Sequence, residues 1–156
     1  MQQMKTGLYV IIFLIINFGA LALSSWLMDN GPQTGWYQNL NKAPWTPPGW
    51  VFGAAWTTIM LCFSIYMAIL LKIHPHQKVV ILFLIQLVLN VGWNYLFFNQ
   101  HLVVLSLVCI ALLTIIIFKF LFDFKTIMLA KQLLVLPYFI WLCIATSLNA
   151  YILIYN

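Results

Sequence analysis

The sequence predicts an all-α integral membrane protein, a single bundle of five transmembrane helices with a structured loop between helices 1 and 2. Three observations carry this. Apolar residues make up 65% of the 156-residue chain and charged residues only 6%, whereas a soluble domain carries about 25% charge. Five apolar runs reach the roughly 20 residues needed to cross a hydrocarbon core. Turn-forming and charged residues collect mainly between those runs. The runs fill residues 1–156 so completely that one membrane domain accounts for the whole length.

The first span is expected over about residues 7–27, ending at Met28-Asp29-Asn30-Gly31-Pro32, a cluster of turn formers. Next comes the stretch Trp36 to Gly53, dense in tryptophan, proline and glycine. Rigid turns and large amphipathic rings suit a segment that holds a shape at a membrane surface. The second span is placed at 46–71, with Thr46 as its cap and Pro47 and Pro48 in first-turn positions that need no donor. Gly49-x-x-x-Gly53 at its start is read as a device for close helix packing. Lys72 to Lys78 forms a loop, and the third span runs over 79–98, closed by Asn99-Gln100-His101. The fourth covers 102–122. Asp123 to Lys131 links it to the fifth, 132–154, which Pro137 is expected to bend.

Charge gives the orientation. All seven basic residues are lysines, and the only acids are Asp29 and Asp123. Lys5, Lys72, Lys78, Lys119, Lys125 and Lys131 fall at one end of the bundle and Lys42 alone at the other, which places the N-terminus in the cytoplasm. The rule does not say which cellular membrane is crossed; a bacterial cell membrane is the expectation. Lys119, near the end of its span, snorkels. The net charge of +5 is spread between apolar runs, so nucleic-acid binding has no footprint. The apolar run after Lys5 is longer than a signal-peptide core and is read as a span.

No metal site is expected: His74 and His76 flank a proline and His101 stands alone. Cys62, Cys109 and Cys143 lie inside apolar runs, with buried, inert thiols the preferred reading. No nucleophile is spaced to a base, no glycine loop cradles phosphate, and no carboxylate falls where burial could tune it. The polar groups inside the spans carry the information instead. Gln86, Asn90 and Asn94 follow i, i+4, i+8 and drift only about 40° per step, forming one amide stripe beside Trp93. Interhelical hydrogen bonding and a ligand-facing surface explain that stripe equally well. Pro137, Tyr138, Trp141, Ala145, Leu148 and Asn149 share a face of the fifth span. Trp56, Trp93 and Trp141 fall deeper than an interfacial belt, and large rings opposite small residues suit a flat apolar ligand held by stacking.

Three motifs now stand together: Trp36-Tyr37-x-x-Leu40-x-Lys42-x-Pro44-Trp45-x-Pro47-Pro48, then Leu89-Asn90-x-x-Trp93, then Pro137-Tyr138-x-x-Trp141-x-x-x-Ala145-Thr146-x-Leu148-Asn149. In order and spacing they resemble the translocator protein family, also called the tryptophan-rich sensory or peripheral benzodiazepine receptor family. The resemblance implies a five-helix bundle, commonly a homodimer, that binds porphyrins such as protoporphyrin IX and drug-like aromatic ligands. It implies no covalently bound cofactor, with porphyrin as ligand or substrate, and for bacterial members a light-dependent oxidative porphyrin breakdown. The matching pocket positions are Tyr37, Pro44, Trp56, Asn90, Trp93, Trp141, Ala145 and Leu148, with Trp56 and Trp141 the tryptophans implicated in the breakdown. The fifth span ends without Lys or Arg, so the cholesterol motif of eukaryotic members is not expected to operate. The third span has Gly92 alone where some bacterial members carry a small-xxx-small dimer seam. The expected function is thus a membrane receptor for tetrapyrroles. Transport of such amphiphiles and a sensory partner role are the alternatives, the former weakened by the absence of an inverted repeat or coupling charge.

Overall fold

The computed structural model describes residues 6–156, so Lys5 lies outside the described residues. The chain forms α1 (Thr6–Leu27), α2 (Gly35–Asn39), α3 (Gly49–Ile73), α4 (Gln77–Asn94), α5 (Val103–Asp123), α6 (Lys125–Met128) and α7 (Leu136–Tyr155). Five of these, α1, α3, α4, α5 and α7, are long and apolar enough to cross a membrane. Among the described residues there is no strand. A bilayer leaves backbone groups no water to bond, and a helix satisfies them within itself. Five-span helical architecture follows from that constraint, as the sequence predicts.

The helices close into a ring. α1 packs on α3, α3 on α7, α7 on α5, α5 on α4, and α4 back on α1. The core between them is aromatic and aliphatic, with Phe63, Tyr66, Phe120 and Tyr138 among its largest buried side chains. Phe63 meets Tyr138 and Phe120 edge-on, at 5.3 and 5.4 Å between centroids. Such contacts add about 0.5–1.5 kcal/mol each beyond area burial. The outward faces are apolar too: Ile15, Val88, Val104 and Ile154 are all exposed, as lipid-facing positions should be. Cys143 departs from the expectation of burial and is exposed on the outward side of α7, whereas Cys109 is buried.

Most polar side chains inside the bundle are paired across helices. The Asn17 amide donates to Ser64 Oγ at 2.8 Å, joining α1 to α3, and Asn94 donates to Ser24 Oγ at 2.7 Å, joining α4 to α1. The Tyr138 hydroxyl donates to Gln86 Oε1 at 2.9 Å, joining α7 to α4. Two of the three amides in the α4 stripe are therefore used as glue.

Two helix starts differ from expectation. α3 begins at Gly49, not Thr46, because the Thr46 hydroxyl is spent on Ala43 O at 2.7 Å and leaves no side-chain cap. Pro47 and Pro48 thus precede the helix, with Pro48 extended at its boundary. α7 begins at Leu136, so Pro137 occupies a first-turn position and initiates the helix instead of bending it. The residues before it, Leu129–Leu134, form a 3-10 turn.

At one end of the bundle Lys78 pairs with Asp123 at 2.8 Å and Lys119 approaches the same carboxylate at 3.6 Å. Lys72 donates to Thr6 Oγ1 at 2.6 Å. The Trp36–Pro48 segment caps the opposite end.

Candidate ligand-binding site

That opposite end is built as a lid over a cavity. A 3-10 turn, Gly31–Gln33, leads into α2, whose Thr34 hydroxyl accepts from the Tyr37 amide at 3.4 Å and donates to Gly31 O at 2.7 Å. α2 is then fastened to the α4 side through Trp36, which stacks on His101 at 4.0 Å and meets Phe97 edge-on at 5.5 Å. The far side of the loop is fastened to α7. Asn41 N–H donates to Asn156 Oδ1 at 2.8 Å, Asn41 Nδ2 to Tyr155 O at 3.1 Å, and Asn156 Nδ2 to Asn41 O at 3.2 Å. Trp45 adds an indole N–H bond to Ser147 Oγ at 3.1 Å and an edge contact to Tyr151. Trp26 and Trp50, at 76% and 74% exposure, sit outside this framework in the manner of interfacial anchors.

Beneath the lid lies a cavity of about 650 Å³, set between α1, α3 and α4. Its aromatic wall is Tyr37, Phe52, Trp56, Trp93 and Phe98; its polar groups include Ser25, Gln33, Thr57 and Asn94. Among the described residues Lys42 is the one charged residue lining it. The Lys42 ammonium donates to Gln38 O at 3.0 Å and lies 4.9 Å from the Tyr37 ring centroid. Burial pushes the Tyr37 phenol above its ordinary range, so near neutral pH it is a neutral hydroxyl.

Gly49 and Gly53 correct an expectation. Both line the cavity, and a Cβ built on either would meet no atom within 4 Å. They do not press α3 against a neighbour; they hollow its wall.

A second, much smaller space of about 30 Å³ lies toward α7, lined by Phe97, Ala145, Leu148, Asn149 and Ile152. It shares Tyr37, Phe52, Trp93 and Phe98 with the main cavity. The positions singled out from sequence therefore distribute unevenly. Tyr37, Trp56 and Trp93 wall the main cavity, while Ala145 and Leu148 wall the small one. Trp141 is buried behind Phe52, whose ring meets it edge-on at 5.2 Å. Pro44 lies in the lid and Asn90 is buried on α4 at 3% exposure, and neither borders either space.

Trp93 is oriented from behind. Its indole N–H donates to Asn149 Oδ1 at 3.1 Å; the same oxygen accepts from Ser106 Oγ at 3.0 Å, and Asn149 Nδ2 donates to Val103 O at 3.2 Å. With its N–H committed, Trp93 presents its ring to the cavity. Phe52 and Phe98 are lining residues that sequence reasoning missed. Phe98 sits in a π-helical turn, Tyr95–Asn99, that buries the adjacent Phe97 and Phe98 together. Such turns concentrate at functional sites. Among the described residues no group of three or more His, Cys, Asp or Glu is placed to hold a metal ion.

Comparison with known proteins gives the arrangement a family. The sequence profile of the TspO/MBR family matches residues 11–155. The Tryptophan-rich protein TspO of Chlorobaculum tepidum is 35% identical over 129 residues, spanning 80% of this chain and 82% of that protein. Protein CrtK of Rhodobacter capsulatus is 30% identical over 118 residues, spanning 73% and 74%. The Tryptophan-rich sensory protein of Cereibacter sphaeroides is 29% identical over 114 residues, spanning 73% and 72%. A five-span bundle, a tryptophan-walled cavity and a match over nearly the whole length lead to one conclusion: the chain is a multi-pass membrane protein that belongs to the TspO/MBR family.

Proposed function

We propose that the protein is a membrane receptor that binds tetrapyrroles of the protoporphyrin IX type, together with drug-like aromatic ligands, and promotes light-dependent oxidative breakdown of the bound porphyrin. The observation that carries this reading is the cavity of about 650 Å³, walled by Tyr37, Phe52, Trp56, Trp93 and Phe98, with Lys42 as the single charged lining residue among those described. A planar, apolar macrocycle with acidic side arms fits that chemistry. Its faces stack on the indoles and its carboxylates turn toward the lysine at the lid. A mostly apolar wall with a few polar groups favours an apolar ligand over a strongly solvated one.

The photochemistry belongs to the ligand, and the protein supplies orientation and electron-rich neighbours. An indole gives one electron to the photoexcited macrocycle, leaving an indole radical cation and a porphyrin radical anion. Dissolved dioxygen adds to the porphyrin radical anion, and the adduct returns one electron to the indole radical cation, which restores the indole. The net change is addition of dioxygen across one carbon–carbon double bond of the macrocycle, which breaks to give two carbonyl groups and opens the ring. Trp56 on the cavity wall and Trp141 behind Phe52 are the proposed donors. Loss of porphyrin absorbance under illumination is to be compared for the wild type and the Trp56→Phe, Trp141→Phe double variant. Faster loss with wild type than with the variant supports the reading; equal rates remove the redox role of the two indoles.

The proposed orientation keeps the N-terminus in the cytoplasm of a bacterial cell and the lid outside, in keeping with five lysines at one end of the described residues and Lys42 at the other. A homodimer is also proposed. An apolar groove of about 600 Å³ between α1 and α4 offers Gly19, Ala20 and Gly92 to a second copy, so small residues from two helices stand where a single-helix motif is missing. Disulfide capture of a Val88→Cys variant as a dimer in membranes tests it, and exclusively monomeric protein would oppose it.

A further inference from the structure

We propose that Phe52 is a swinging partition that sets the size of ligand the site accepts, an inference that rests on the receptor reading above. Phe52 borders both the cavity of about 650 Å³ and the space of about 30 Å³, and its ring stands edge-on to Trp141 at 5.2 Å. With the ring in this position the main cavity ends at α3 and α4, and Trp141, Ala145 and Leu148 on α7 lie beyond it. Moving that one ring joins the two spaces and uncovers the face of α7.

The local sequence leaves room for the movement. An aromatic side chain on a helix lies back over the turn that precedes it. For Phe52 that turn holds Pro48 and Gly49, and a Cβ at Gly49 would meet nothing within 4 Å. The ring therefore has open space on the cavity side of α3. Phe52 packs partly buried against the core, and the aromatic contact that holds it is the edge-to-face one with Trp141, a weak restraint. The neighbours on the far side are fixed by comparison: Trp93 is bonded to Asn149, and Phe97 and Phe98 pack edge-on at 4.8 Å. Of the four residues the two spaces share, Tyr37 is held against Phe97, Phe98 and the Lys42 ammonium, Trp93 and Phe98 are held as described, and Phe52 meets Trp141 edge-on with the cavity beside it. Compact aromatic ligands are held with the partition closed. Larger macrocycles displace it and reach Trp141.

The test uses two fluorescent probes, pyrene-1-butyrate as the compact one and protoporphyrin IX as the large one, titrated in the dark into wild-type protein in nanodiscs. Phe52→Ala removes the partition and Phe52→Trp thickens it. The expected result is a ratio of porphyrin to pyrene affinity that rises about tenfold or more in Phe52→Ala and falls in Phe52→Trp. Far-UV circular dichroism and a cooperative thermal transition in both variants report that the fold is intact. An unchanged ratio with porphyrin still bound overturns the partition and leaves the receptor reading standing. Porphyrin binding by Phe52→Ala alone supports the partition and removes the receptor reading. If no form binds porphyrin, both fall.

Discussion

Asn149 is the residue through which the structure makes its sharpest quantitative demand. It is buried at 1% exposure on α7 and joins three helices' worth of polar groups, accepting from Trp93 and Ser106 and donating to Val103 O. Asn149→Ala removes these three bonds. At about 0.6 kcal/mol per interhelical bond in a membrane the loss comes to about 2 kcal/mol, which corresponds to a fall of about 4–8 °C in Tm for a chain of this size. The unpaired Trp93 indole also loses its fixed orientation, so dark porphyrin affinity should weaken by about tenfold, the equivalent of about 1.4 kcal/mol. Ser106→Ala is the control. It deletes one donor to Asn149 without touching Trp93, so it should lower Tm slightly and leave porphyrin affinity unchanged. Thermal unfolding in detergent and fluorescence titration read the two effects separately. If Asn149→Ala leaves porphyrin affinity unaltered, or if Ser106→Ala weakens it as much, Trp93 is not positioned in the way argued here.

Three further outcomes are expected. Gly31→Ala should destabilise by about 1–3 kcal/mol, seen as a lower Tm, because a Cβ there would lie 2.2 Å from Met28 Cγ and 3.1 Å from Phe98 Cδ1. Lys42→Gln should weaken binding of the free porphyrin diacid a few-fold at low salt while leaving its dimethyl ester unaffected, since a partly exposed charge is worth about 0–1 kcal/mol and is screened by salt; equal losses for acid and ester would remove the charge argument. The proposed orientation, with the lid outside the cell, expects an impermeant maleimide added to intact cells to label Asn39→Cys and not Gln77→Cys, the two positions being exposed in the lid and at the start of α4; the reverse pattern would invert the topology.

The fold was legible because a bilayer turns hydropathy almost directly into helices. Local starts were less so. Thr46-Pro47-Pro48 reads equally well as a cap followed by a first turn or as a rigid approach, and the Thr46 hydroxyl bond to Ala43 O decides for the second. Pro137 within an apolar run reads as a kink until the 3-10 turn before it is seen. Tyr37, Trp56 and Trp93 were drawn together from motif and depth, and they do share one cavity wall. Phe52 and Phe98 could not be distinguished from lipid-facing Phe118 and Phe122, because in a membrane protein an outward phenylalanine carries no sequence penalty. The same holds for Gly49 and Gly53: spacing alone does not tell a packed seam from a hollowed wall. The burial of Phe97 and Phe98 together depends on a π-helical turn that regular helical spacing does not anticipate.

The central claim is that the tryptophan-walled cavity beneath the lid is a tetrapyrrole site. Its most direct test is a dark titration of protoporphyrin IX into wild-type protein and Trp93→Ala in nanodiscs, read by quenching of tryptophan fluorescence through energy transfer to the porphyrin. Saturable quenching at one porphyrin per chain, shifted to about tenfold higher concentration in Trp93→Ala, is the result expected. Quenching that rises linearly with porphyrin and is identical for the two proteins would mean that the dye partitions into lipid and that the cavity is not its site.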